Sequence, residues 1–277
     1  MATIIGIHGL ANKPAELTLT KWWKDALEEG LKQNMDLNPG INFELVYWAD
    51  QMYDASIPDH ENKEKYYEAG AGALKRYKDG WRDDLVAGLL NVTGGAADFA
   101  KSWLDMRTAA NAVLEAKLND LYLYYTDTAI RDALRNKLKR TLSDHKGSRT
   151  MLIAHSMGSI FAYDVLRQIG REDPTYRLDH FVTIGSPLGL PHVIHTIREE
   201  GNGRLVRTPS VVKKWINFAD RFDPVALDVH LSGDFEANDR GVEVVDDMVS
   251  NDYEGIHHKS YGYLRTPELS EAVARFI

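Results

Sequence analysis

Short aliphatic runs alternate with longer amphipathic stretches along much of this chain. The first run, Thr3 to Ile7, is continuously apolar and predicts a strand buried on both faces. It ends at His8-Gly9. From about Glu16 to Asn34, Leu19, Trp22, Trp23, Ala26, Leu27 and Leu31 share one face of a helix. Asn38-Pro39-Gly40 predicts a turn, and Ile41 to Trp48 a second strand.

The pattern then changes. Between about Ala49 and Thr126 it is helical and rich in aromatic residues, holding seven of the thirteen tyrosines. Leu74, Tyr77, Trp81, Leu85 and Leu89 recur every three or four residues, as do Phe99, Trp103, Met106, Ala110, Val113 and Leu114. Gly94-Gly95 separates the two helices.

Strand–helix alternation resumes with a helix at Thr128 to Leu142, where Ile130, Leu134, Leu138 and Leu142 are in register. Strands are expected at Thr150 to Ala154, His180 to Gly185, Val212 to Ala219 and Val242 to Val245, with a helix at Met157 to Ile169. Thr266-Pro267 opens a terminal helix, Thr as N-cap and Pro at the first helical position. Such alternation predicts an α/β fold, a doubly wound and mostly parallel sheet covered on both faces. There is no internal repeat and no low-complexity linker. The expected organisation is a core of residues 1–50 and 128–277, interrupted by a helical cap insertion at 51–127.

Composition narrows the function. Of 277 residues 44% are hydrophobic, too many for a disordered chain. The net charge of −8 argues against a nucleic-acid partner. With no cysteine there is no disulfide, no Cys-ligated zinc and no Cys nucleophile. The uncharged runs Thr150 to Tyr163 and Leu85 to Ala97 fall short of the ~18 apolar residues of a membrane span, although transient contact with a lipid surface is compatible with them. No basic stretch precedes the first apolar run, so no secretory signal and a cytoplasmic location are expected.

The strongest chemical signal is Ala154-His155-Ser156-Met157-Gly158, between a strand and a helix. Ser156 then sits on a tight turn, with small residues two before and two after it, the arrangement of a nucleophile elbow. The Met157 N–H lies at a helix N-terminus, where it can stabilise an oxyanion. A second donor is needed. His8-Gly9-Leu10 follows the first strand, and Gly9 lets the backbone approach closely enough for the Leu10 N–H to serve. His155 packs beside the elbow. An acid is expected past the carboxyl end of a later strand, where both Asp220 and Asp223 occur. The base is expected late in the chain, at His257 or His258; adjacent side chains point apart, so at most one reaches Ser156. His192 and His195 without a placed carboxylate are thin grounds for a metal, so neither metal nor organic cofactor is expected.

The elbow, the His-Gly turn and the Ser…Asp…His order together resemble the α/β-hydrolase superfamily, closest to lipases and esterases with His-Gly after the first core strand and Ala-x-Ser-x-Gly at the elbow. The resemblance covers 1–50 and 128–277. It implies Ser156 as nucleophile, Leu10 and Met157 as oxyanion donors, and His8, Gly9, His155 and Gly158 as supporting motif residues. Asp-Pro-Val resembles the acid loop of many hydrolases and favours Asp223 over Asp220. A Tyr three residues on, here Tyr261, favours His258 over His257. Two departures stand out. The antiparallel strands that often precede the first core strand are absent, which implies a reduced sheet, and the insertion comes earlier than most caps.

The implied activity is a serine hydrolase acting on small-molecule carboxylic esters with an apolar acyl group, lined by a helical cap at 72–90 and 96–118. An acyl thioesterase, amidase or acyltransferase would use the same triad, and a non-catalytic binder the same fold. A nicotinamide site is excluded, because Gly6-Ile7-His8-Gly9 is not Gly-x-Gly-x-x-Gly. Oligomeric state is not legible.

Overall fold

A computed structural model describes residues 2–58, 76–77, 120–200, 206–223, 225–226, 229–253 and 257–277. Six strands form one sheet: β1 (Thr3–Ile7), β2 (Phe43–Val46), β3 (Thr150–His155), β4 (His180–Ile184), β5 (Trp215–Ala219) and β6 (Val244–Met248). Their order is β2-β1-β3-β4-β5-β6, and every pairing is parallel. Helices cover both faces, as the alternation of elements required.

Side-chain alternation explains the two layers. In β1 and β3, Ile5, Ile7, Leu152 and Ala154 face one cluster, while Ile4, Met151 and Ile153 face the other. The first cluster is closed by α2 (Thr128–Asp144), α3 (Met157–Glu172) and α4 (Pro191–Glu200). The second is closed by α1 (Glu16–Met35), α5 (Ser260–Leu264) and α6 (Pro267–Phe276), with α1 packed along α5 and α6. The α1 stripe buries Leu19, Trp23, Ala26, Leu27 and Leu31 as its spacing demanded. Asp127 caps α2 by accepting from the Ala129 and Ile130 N–H groups, and Thr266 caps α6.

Several boundaries differ from those read in the sequence. β2 stops at Val46, because Tyr47 and Trp48 turn away and the Trp48 N–H binds the His8 ring. β5 begins at Trp215; Val212 closes a turn onto the Pro209 carbonyl and makes only an isolated bridge to Leu178. β6 is shifted to 244–248, since the Val242 N–H is taken by the Asn238 side chain. The helices α4 and α5 were not expected.

The cap helices expected at 72–90 and 96–118 lie outside the described residues, apart from Arg76 and Tyr77. Residues 120–126 are helical, and their Leu121 and Tyr124 belong to the core cluster on the α3 face. The Tyr124 ring lies 4.3 Å from that of Phe161. Among the described residues no helix is long and apolar enough to cross a membrane.

The chain winds from β1 outward to β2 and then back across to β3. Loops leaving β1 and β3 therefore diverge, and a crevice opens at their carboxyl ends. The first turn of α3 closes tightly on one wall. A Cβ on Gly158 would lie 2.6 Å from the His8 carbonyl oxygen and 2.8 Å from that of Ile7. A helical glycine ordinarily gains from replacement by alanine. Here the clash is with backbone, so Gly158→Ala should lower stability by about 1–3 kcal/mol, read as a reduced urea midpoint at unchanged slope.

Candidate active site

Ser156 occupies the crevice with φ 54° and ψ −132°, a backbone conformation rare for a side-chain-bearing residue. Such strain costs on the order of 1–3 kcal/mol and persists only when neighbours enforce it. The enforcement is visible. The Ser156 N–H donates to the Ile184 carbonyl at 3.1 Å, and the Ser156 carbonyl accepts from the Ser159 N–H at 2.9 Å and the Ser159 hydroxyl at 2.5 Å. Ser159 Oγ also lies 2.7 Å from Ser186 Oγ, which ties the elbow to the loop after β4.

His258 Nε2 stands 2.8 Å from Ser156 Oγ, and His258 Nδ1 stands 2.8 Å from Asp223 Oδ2. All three side chains are buried. Burial raises the Asp223 carboxyl, but the charge of His258 and hydrogen bonds from His258, the Val225 N–H and Tyr263 outweigh it, so the net shift is downward. The carboxylate is therefore ionised at neutral pH and accepts from His258 Nδ1–H. Nε2 is left as the acceptor for the Ser156 hydroxyl. Asp223 Oδ1 is held by the N–H groups of Val225 at 2.8 Å and Ala226 at 3.3 Å. Gly185, at φ +53°, gives the pair room: a Cβ there would lie 2.7 Å from Asp223 Oδ2 and 3.2 Å from His258 Nδ1.

Tyr263 was not singled out by sequence. Its hydroxyl donates to Asp223 Oδ2 at 2.7 Å and accepts from the Asp220 N–H at 3.0 Å. Burial, then the charges of Asp223 and Asp220, push its phenol well above the ordinary range, so it remains a donor. Tyr261, the residue the spacing pointed to, instead packs edge-on against Trp22. The short helix α5 separates the two roles, and no strand or loop periodicity distinguishes them.

The other two candidates meet elsewhere. Asp220 accepts from the N–H groups of Phe222 at 2.8 Å and Asn251 at 2.6 Å. His257 Nδ1 lies 3.5 Å from Asp220 Oδ2 and donates to the Asn251 carbonyl at 2.8 Å. Asp220 and His257 thus brace the loop that carries His258, while Asp223 and His258 reach Ser156.

The β1 loop forms the opposite wall. A Cβ on Gly9 would lie 2.7 Å from the Ser156 Cβ, so only glycine fits. His8 Nδ1 donates to the Gly9 carbonyl at 2.8 Å, while its Nε2 accepts from the Trp48 N–H at 3.0 Å. Pinning the Gly9 carbonyl toward the His8 ring turns the trans-related Leu10 N–H the other way. Among the described residues, neither the Leu10 nor the Met157 N–H is spent in a hydrogen bond. Lys13 Nζ donates to the Leu10 carbonyl at 2.6 Å, and Ala11, at φ 68°, donates its N–H to Asp120 at 3.2 Å. Tyr53 donates to the same carboxylate at 2.9 Å. Across the crevice His155 Nε2 donates to the His258 carbonyl at 2.8 Å. Tyr53 and Asp120 carry no sequence signal for this, since their contacts span long separations. Among the described residues no group of three metal-ligating side chains converges.

Residues 122–188 match the family model of alpha/beta hydrolases of unknown function, DUF900. That segment contains α2, β3, Ser156, α3 and β4. No curated protein and no solved structure matches the chain. The all-parallel sheet with its flanking helices is of α/β type and, with this match over part of the chain, is consistent with an α/β-hydrolase fold.

The depressed Asp223 carboxyl has a consequence for stability. An acid whose folded pKa lies below its unfolded value stabilises the fold above the ordinary carboxylate range, and that contribution is lost as pH falls through the folded pKa. Asp223→Asn should therefore lose less stability than the parent between neutral and acid pH, measured as melting temperature against pH. An unchanged acid slope would mean that Asp223 is not held ionised.

Proposed function

We propose that the chain is a serine hydrolase that cleaves carboxylic esters with an apolar acyl group through an acyl-enzyme. The observation that carries this reading is the Ser156–His258–Asp223 relay, 2.8 Å at each step, set in the crevice beside two N–H donors unspent among the described residues. Ser156 Oγ attacks the acyl carbon as His258 Nε2 takes its proton. Asp223 keeps the imidazole in the productive tautomer and stabilises the imidazolium. The Leu10 and Met157 N–H groups receive the developing oxyanion.

Collapse of the tetrahedral intermediate passes the proton from His258 to the leaving alkoxide, which departs as an alcohol. Water, deprotonated by His258, then attacks the ester on Ser156 and releases the acid. No metal or organic cofactor takes part in this scheme. Ester, thioester and amide substrates share these steps and differ in the leaving group. The preference for an apolar acyl chain depends on the segment 72–118, and a series of p-nitrophenyl esters of increasing chain length tests it separately from the chemistry.

A fluorophosphonate probe should label Ser156 stoichiometrically, located by peptide mass mapping. Ser156→Ala should abolish labelling in a folded protein, and His258→Ala should slow it by about 10³-fold or more. Labelling of the folded parent at another serine, or none, would overturn the assignment. His257→Ala, which loosens only the loop that carries His258, should slow labelling far less than His258→Ala.

Tyr263→Phe offers a finer test. Removing a donor from Asp223 Oδ2 leaves more negative charge facing His258, which stabilises the imidazolium. The acid limb of the labelling rate against pH should therefore move to higher pH. A uniform loss of rate with an unmoved limb would make Tyr263 a packing residue only.

A further inference from the structure

A cavity of about 680 Å³ lies between α2, α3, α4 and the chain leading into β5. It is well removed from Ser156. The part of α3 that lines it, around Asp164 to Arg171, lies roughly 12–22 Å further along the helix at ~1.5 Å per residue. Its volume is that of an ordinary small-molecule site.

Its charge is the unusual feature. The chain carries a net charge of −8, yet among the described residues five arginines line this one cavity against three carboxylates. Two of those carboxylates are already engaged. Asp164 accepts from Arg135 at 2.9 Å and from Tyr124 at 2.6 Å, with Arg167 at 4.0 Å. Asp239 pairs with Arg207 at 3.3 Å. The third, Glu200, makes no ion pair within 4.0 Å among the described residues; burial, then Asp164, raise its carboxyl against the opposing pull of Arg135, Arg167 and Arg131.

Arg131 and Arg171 are left over. Neither has a carboxylate within ion-pair distance among the described residues. The Arg131 Nη1 reaches only the Tyr125 carbonyl, at 3.5 Å, and its Nε is buried without a partner among the described residues. Thr208, 2% exposed and in the wall of the same cavity, also has its hydroxyl buried with no such partner. Buried donors without acceptors are costly, and a bound oxyanion would satisfy them. Guanidinium forks match the oxygens of phosphate bidentately.

We propose that this cavity is a binding site for a phosphate-bearing small molecule, whose anionic groups are met by Arg131 and Arg171. The site is independent of the hydrolase reading, because none of its residues touches the Ser156 relay. The surplus of guanidinium over available carboxylate favours a dianion, and the cavity is large enough for an organic phosphate rather than inorganic phosphate alone.

The test is calorimetric titration of the full chain with inorganic phosphate and with glycerol phosphate at constant ionic strength, with succinate as the dicarboxylate control. Saturable binding of both phosphates is expected, with succinate weaker. Arg131→Gln/Arg171→Gln should weaken phosphate binding by about tenfold or more while leaving fluorophosphonate labelling at the parent rate. Arg171 is exposed, so Arg171→Gln alone provides a variant that should fold normally and still bind more weakly. Absence of binding, affinity unchanged in both variants, or succinate binding as tightly as phosphate would each overturn the proposal.

Discussion

The first turn of α3 is pressed against the end of β1, and the geometry of the crevice follows from that approach. Gly158 lies so close to the carbonyls of Ile7 and His8 that no Cβ fits between them. The strand before it can then enter the helix only through a left-handed residue, which falls on Ser156 at φ 54°. The same proximity brings Gly9 against the Ser156 side chain and sets the Leu10 loop beside the Met157 N–H. A strained hydroxyl-bearing residue and two N–H groups that are unspent among the described residues thus arise from one packing contact. The strain is held by the Ile184 carbonyl on one side and by Ser159 on the other.

A second constraint is the buried charge of Asp223. Taking a carboxylate out of water is expensive unless its oxygens are well supplied with donors. Here two backbone N–H groups serve one oxygen, and His258 and Tyr263 serve the other. The surrounding loops are built to keep those donors in place. Asp220 gathers Phe222, Asn251 and the Tyr263 hydroxyl around it, and His155 holds the backbone of His258. Residues that sequence alone placed as competitors for the relay are therefore its scaffold. The Arg-lined cavity shows the opposite imbalance among the described residues, five arginines to three carboxylates, on a part of α3 remote from the elbow.

Much of this was legible without coordinates. The aliphatic runs of β1 and β3 and the stripe of α1 specified a doubly wound parallel sheet, because continuous burial on both faces and a 3.6-residue period have few other solutions. Ser156 was readable from the small residues around it, and His8-Gly9 from its place after the first strand. The competition between Asp220 and Asp223, and between His257 and His258, was not resolvable by spacing. Each pair sits in one loop, and a loop's side-chain directions depend on what it packs against. The ends of β2, β5 and β6 depart from the apolar pattern for a related reason: Trp48, Val212 and Val242 retain strand-like character but give their hydrogen bonds to His8, Pro209 and Asn238 instead.

The sequence by itself determined the order of the strands and of α1, α2, α3 and α6, the two-faced core and the chemical types available at the carboxyl edge of the sheet. These follow from local periodicity and from residues close together in the chain. Tertiary structure alone decided which acid and which base meet Ser156, and that Tyr263 joins them from five residues beyond His258. It also decided that Asp120 and Tyr53 brace the Leu10 loop, and that arginines from α2, α3 and the β5 approach face one cavity. Those contacts join residues far apart in sequence, so no local pattern encodes them. They exist only once the sheet has closed and its helices have packed.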